Sequence, residues 1–186
     1  MLVNRLAQFS QRMAVLTLMF IACMLILNAA LWVFPIMGSN DGWGIGFSLS
    51  GVMLNQLAVQ TEMLAWWQIL GAILVSSVPL VALASGLNHL CRLFQGYARG
   101  EYFSYSAAVH LGKVGRGVIL WVISSFICTP ILSILVTLHA PPGQRLLTIS
   151  FTSADFVALF LAGCIAVIAR ILVRASEVDS ENQTFV

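Results

Sequence analysis

Three long intervals of the chain contain no charged side chain: between Arg12 and Asp41, between Glu62 and Arg92, and between Arg116 and Arg145. Each exceeds the roughly 20 residues with which a helix crosses about 30 Å of hydrocarbon. Transmembrane spans are therefore predicted near 13–37, 63–87 and 118–138. A fourth is predicted at 154–173, although its uncharged core, Phe156–Ala169, covers only about 21 Å at 1.5 Å per residue. It crosses if Asp155 stays at one interface and Arg170 snorkels to the other. Soluble domains carry roughly 25% charged residues. Among the 186 residues here 9% are charged and 60% are hydrophobic, which excludes an ordinary soluble domain and a disordered chain. The expected fold class is an all-α membrane protein, a four-transmembrane-helix bundle over 1–174, followed by an acidic tail over 175–186.

Basic residues give the orientation. Arg5, Arg12, Arg92, Arg99, Lys113, Arg116, Arg170 and Arg174 fall on one side of such a bundle, and Arg145 alone falls on the other. Both termini and the central link are thus expected on the cytoplasmic side of the membrane. Trp32, Phe34, Trp43, Trp66 and Trp67 cluster at the opposite ends of the first two spans, as an interfacial aromatic belt would. The first apolar run continues to Pro35, too long for a cleaved signal core, so it reads as an anchor. Two segments in the outer connections alternate with period two: Trp43, Ile45, Phe47, Leu49 and then Leu147, Ile149, Phe151. They admit a small outer β-ribbon that would cap the bundle.

Candidate chemistry is sparse. No Asp, Glu, Lys or Arg lies near the middle of any span, where ion- and proton-coupled carriers place one. The intramembrane polar candidates are Asn28, Ser77 and Thr129; as a transport path they would line a pore, and as packing elements they would hydrogen-bond between helices. Packing is the commoner use. Pro79 and Pro130 each remove a backbone donor mid-span. Ser76, Ser77, Ser124, Ser125 and Thr129 lie within a turn or so and are expected to bond the carbonyls thereby freed. His89 and His110 belong to the cytoplasmic side and His139 to an outer helix end, so no pair faces across mid-membrane as a haem would need. No cofactor or metal is expected. The four cysteines stand singly and read as reduced small hydrophobes. Thr152 and Asp155 form a capping box at the start of the fourth helix, and Ser104 is placed to cap the third. Gly112, Gly115 and Gly117 are expected to loosen the entry to the third span. Small residues at Ala158, Ala162 and Ala166, and at Ala82 and Gly86, would let backbones approach closely.

The link reads Leu93-Phe94-Gln95-Gly96-Tyr97-Ala98-Arg99-Gly100-Glu101-Tyr102-Phe103-Ser104, and the chain closes on Glu181-Asn182 with the apolar Phe185 and Val186. With these motifs the chain resembles, over about residues 60 to 186, a bacterial family of four-span membrane proteins, domain of unknown function 2975. The resemblance implies four helices in an inner membrane and assigns no reaction. Some members are encoded beside a small helix-turn-helix regulator, which implies a membrane-bound sensor or sequestering partner. From the residues, the candidate interaction surface comprises Arg92, Arg99, Glu101, Phe103, Lys113, Arg116, Glu181 and Asn182, with the acidic tail clasping the basic link.

No catalytic motif is present, so no enzymatic activity is expected. The leading expectation is a membrane protein that acts through protein contacts, as a regulator or accessory subunit. A small transporter or channel component working as an oligomer is the rival, and an enzyme acting on lipids ranks third. Contacts with the bilayer and with a protein partner or a second copy are expected. The formal net charge of +2 is too small to suggest direct nucleic-acid binding.

Overall fold

The computed structural model describes residues 2–33, 65–100, 104–138, 147–149 and 151–184, with side chains for all of these but 2–6 and 179–184. Among the described residues the secondary structure is four helices: α1 (Leu2–Val33), α2 (Trp66–Ala98), α3 (Tyr105–Thr137) and α4 (Ser153–Thr184). All four are long and apolar enough to cross a membrane. At 1.5 Å per residue the 33 residues of α2 or α3 reach about 50 Å, which exceeds the hydrocarbon thickness and leaves turns over at the ends. The exposed side chains Leu16, Met19, Leu74, Ile127, Phe160 and Ile171 would be intolerable in water and are covered by lipid. This is a multi-pass membrane protein.

Capping chemistry sets several helix ends. Ser104 stands just before α3, and the Ala107 N–H donates to its Oγ at 3.2 Å. α2 ends at Ala98, and Gly100 follows in the left-handed region at φ +88°, a conformation open to glycine at little cost. Gln68 in the first turn of α2 reaches back to accept the Ala65 N–H at 3.0 Å, one half of a capping box. α4 starts at Ser153, which places Thr152 at the N-cap position and Asp155 in the first turn. The helix then runs unbroken past residue 174 to Thr184, so the segment read from sequence as a tail extends α4.

The chain folds as two compact units. The first comprises residues 1–21, 82–120 and 153–186, the second 22–81 and 121–152. In the first, α1 meets α2 through Ser10, whose Oγ donates to the Phe94 carbonyl at 2.6 Å, and through Cys91, whose Sγ lies 3.5 Å from the Ala14 carbonyl. α2 meets α3 where a Cβ built on Gly117 would stand 2.5 Å from the Gly86 Cα. α3 meets α4 where a Cβ on Gly115 would stand 3.0 Å from the Ala162 carbonyl oxygen. These glycines are close-approach points and do not loosen the start of α3, because the missing side chain is what lets the backbones touch.

The second unit is centred on Trp32, Ala72, Leu132 and Val136, with Ile69, Ile73, Val75 and Leu135 packed around them. Trp32 is 1% exposed, so it belongs to this core and not to an interfacial belt, whereas Trp66 and Trp67 are exposed. Phe34 and Trp43 lie outside the described residues, as does the first segment of the expected ribbon. Leu147, Thr148 and Ile149 form no strand. The Thr148 N–H instead donates to Ser133 Oγ at 3.2 Å, and Phe151 packs edge-on against Phe126. All four cysteines are free thiols, Cys91 and Cys128 buried, Cys164 half-buried and Cys23 exposed.

Candidate functional site

Two groups of polar residues stand out, one in each unit. In the second unit Asn28 on α1 is 2% exposed and donates through Nδ2 to Ser76 Oγ at 3.1 Å and to Ser77 Oγ at 3.3 Å. Trp32, one turn further along, donates its indole N–H to the same Ser76 oxygen at 3.1 Å. Ser76 and Ser77 in turn donate to the Ile73 carbonyl, at 3.2 and 2.6 Å. Gln68 Nε2 donates to the Leu135 carbonyl at 3.0 Å and ties α2 to α3. Of the three intramembrane candidates, Asn28 and Ser77 come together. Thr129 donates to the Ser125 carbonyl of its own helix at 2.7 Å.

Ser76, Ser77 and Thr129 do not answer the proline-freed carbonyls. Pro79 leaves the Val75 carbonyl without its helical donor and Pro130 leaves that of Phe126, each four residues back. A serine or threonine in a helix reaches three or four residues back, which puts the Val75 carbonyl out of range of Ser76 and Ser77, and they find Ile73; Thr129 could reach Phe126 but donates to Ser125, four residues back.

Among the described residues the cations fall in the first unit. Arg92, Arg99, Lys113 and Arg116 are all exposed. Glu101 and Phe103 lie outside the described residues, and the side chains of Glu181 and Asn182 do too. Glu177 pairs with Arg174 at 3.4 Å, a contact within α4. Lys113 and Arg116 share a groove of about 390 Å³ with Arg170 and Arg174, two residues outside the interaction surface expected from the sequence.

A second arrangement was not apparent from sequence. His89 on α2 and His110 on α3 face each other with Nδ1 atoms 3.2 Å apart and ring centroids at 5.3 Å. One ring nitrogen of the pair must donate and the other accept, so at least one of the facing nitrogens carries no hydrogen. The signal was present in the hairpin. His89 lies ten residues before Arg99 and His110 ten residues after Gly100, so two antiparallel helices joined by a short link bring them level. Among the described residues no three His, Cys, Asp or Glu side chains gather to hold a metal ion.

The geometry therefore offers a saturated polar cluster in one unit and a cationic surface with a histidine pair in the other. Among the described residues neither contains a nucleophile with its base, or a pair of carboxylates. No curated protein and no solved structure matches the sequence. A family model does, and its match takes in α2, the link, α3 and α4: over residues 49–186 the chain belongs to the family described as "Protein of unknown function (DUF2975)".

Proposed function

We propose that this protein is a non-enzymatic component of the bacterial inner membrane that works through protein contacts, as a regulator or an accessory subunit of a membrane complex. Both termini and the α2–α3 link face the cytoplasm in this reading, which rests on eight basic residues against one. The partner-facing surface is the link around Arg92 and Arg99 together with the end of α4.

The observation that carries the reading is how the polar groups are divided. Asn28, Trp32, Ser76, Ser77 and Gln68 are engaged with one another or with carbonyls, and no buried side-chain nitrogen or oxygen among the described residues lacks a partner. A conduction path needs polar groups free to replace the water around its cargo. Here such groups are tied up inside, while Arg92 and Arg99 stand exposed.

Purification of the full chain in mild detergent, with mass spectrometry of what accompanies it, tests the proposal. A stoichiometric partner lost on truncation after Arg174 supports it, with Asn28→Leu leaving that partner bound. A symmetric homo-oligomer recovered alone, or a phenotype lost with Asn28→Leu and kept on truncation, favours the transporter reading and overturns this one. A reporter fused after Arg145 should be active only outside the cytoplasm.

A further inference from the structure

We propose that the groove between α3 and α4 in the first unit is a binding site for the phosphates of an anionic phospholipid, of the kind that carries two phosphates in one headgroup. The inference requires membrane insertion and does not rest on the protein-contact reading above.

Helical spacing puts the cations in place. Lys113 and Arg116 are three residues apart on α3, and Arg170 and Arg174 are four apart on α4, so each pair occupies one face of its helix. Small residues then bring the two faces together. A Cβ on Gly112 would stand 3.5 Å from that of Ala169, an ordinary contact, and Lys113 and Arg170 directly follow these two residues. The groove so formed has a floor of Gly112, Ala166, Ala169 and Val173 and a volume of about 390 Å³.

Among the described residues the lining holds four cations and one carboxylate, Glu177, which leaves three positive charges. Glu177 pairs with Arg174, and among the described residues Lys113, Arg116 and Arg170 make no ion pair. Crowded like charges over an apolar floor repel one another, and a multivalent anion relieves that repulsion. Arg170 is flanked on α4 by the exposed Val167, Ile168 and Ile171. An occupant therefore meets cations and a lipid-facing apolar surface together, the two demands that an anionic phospholipid satisfies and a soluble anion does not. Basic pockets between transmembrane helices at the cytoplasmic side bind such headgroups.

The test is native mass spectrometry of the full chain in mild detergent, titrated separately with cardiolipin, phosphatidylglycerol and phosphatidylethanolamine. The two-phosphate lipid should bind at least about tenfold more tightly than the zwitterionic one, and the triple variant K113Q/R116Q/R170Q should bind it roughly a hundredfold more weakly. Arg170→Gln alone should lower affinity several-fold, while Arg12→Gln, which removes an exposed cation from the same unit, should not. Inorganic pyrophosphate should fail to displace the lipid. Equal affinity for cardiolipin and phosphatidylethanolamine overturns the proposal, as does full binding by the triple variant. Displacement by pyrophosphate assigns the groove to a soluble phosphate and overturns the lipid assignment. If the triple variant does not fold, the ranking of the three lipids on the wild type and the contrast between R170Q and R12Q decide the matter.

Discussion

Gly117 and Gly86 bring the backbones of α2 and α3 together: a methyl group on Gly117 would stand 2.5 Å from the Gly86 Cα and 2.9 Å from its nitrogen. Both obstacles are backbone, so neither can swing aside. Gly117→Ala is expected to destabilise the protein by about 1–3 kcal/mol, the usual cost of forcing atoms into a packed interface. Gly96→Ala meets nothing within 4 Å and should stabilise by a few tenths to about 1 kcal/mol, because it only restricts the unfolded chain. Gly100→Ala should cost about 1 kcal/mol from its left-handed φ, although the space around it is open. Unfolding of each variant in mixed micelles, followed by tryptophan fluorescence, gives the order; a Gly117→Ala variant as stable as wild type would refute the contact.

Ser76 and Ser77 are adjacent but unequal. Ser76 accepts from both Asn28 and Trp32, whereas Ser77 accepts the longer of the two Asn28 contacts. Ser76→Ala strands the buried indole N–H and should cost about 1–3 kcal/mol. Ser77→Ala leaves Asn28 its shorter bond and should cost under about 1 kcal/mol. The same unfolding assay compares them, and equal losses would mean that Trp32 is not held as described.

Glu177 separates stability from binding. Its pair with Arg174 joins two exposed side chains three residues apart, a class of contact worth little. Glu177→Gln should therefore leave the unfolding curve where it is. It raises the groove's net charge from three to four and should tighten binding of a two-phosphate lipid several-fold. A loss of lipid affinity would show that the carboxylate helps to build the site.

The His89–His110 contact depends on protonation. At neutral pH an N–H···N bond between the rings should give a favourable coupling of up to about 1 kcal/mol in a double-mutant cycle of His89→Ala and His110→Ala. Acidification far enough to charge both rings sets two donors and two positive charges against each other, and the coupling should change sign. A coupling unchanged between the two conditions would rule out a shared hydrogen.

The four helices are legible in the sequence because missing charge is a property of each segment on its own. Arg170, which made the fourth span doubtful, turns out to lie at a groove with three other cations, so the feature that weakened the prediction marks the site. The periodicity of α3 and of α4 already placed Lys113 with Arg116 and Arg170 with Arg174. What periodicity lacks is the register between helices, fixed here by contacts such as Gly112 with Ala169, and without it the two pairs cannot be joined. The same gap hid the Ser76 partner of Trp32 and sent that residue to the membrane surface, where tryptophans at span ends commonly sit. His89 and His110 were closer to hand, since a short link fixes the register of a hairpin.

The shared acceptor at Ser76 has a mechanical consequence. Asn28 and Trp32 occupy successive turns of α1 and donate to one hydroxyl on α2. Sliding α1 by a single residue, about 1.5 Å, in either direction would stretch at least one of the two bonds. These two helical segments therefore share one seated position, in which both donors are satisfied at once.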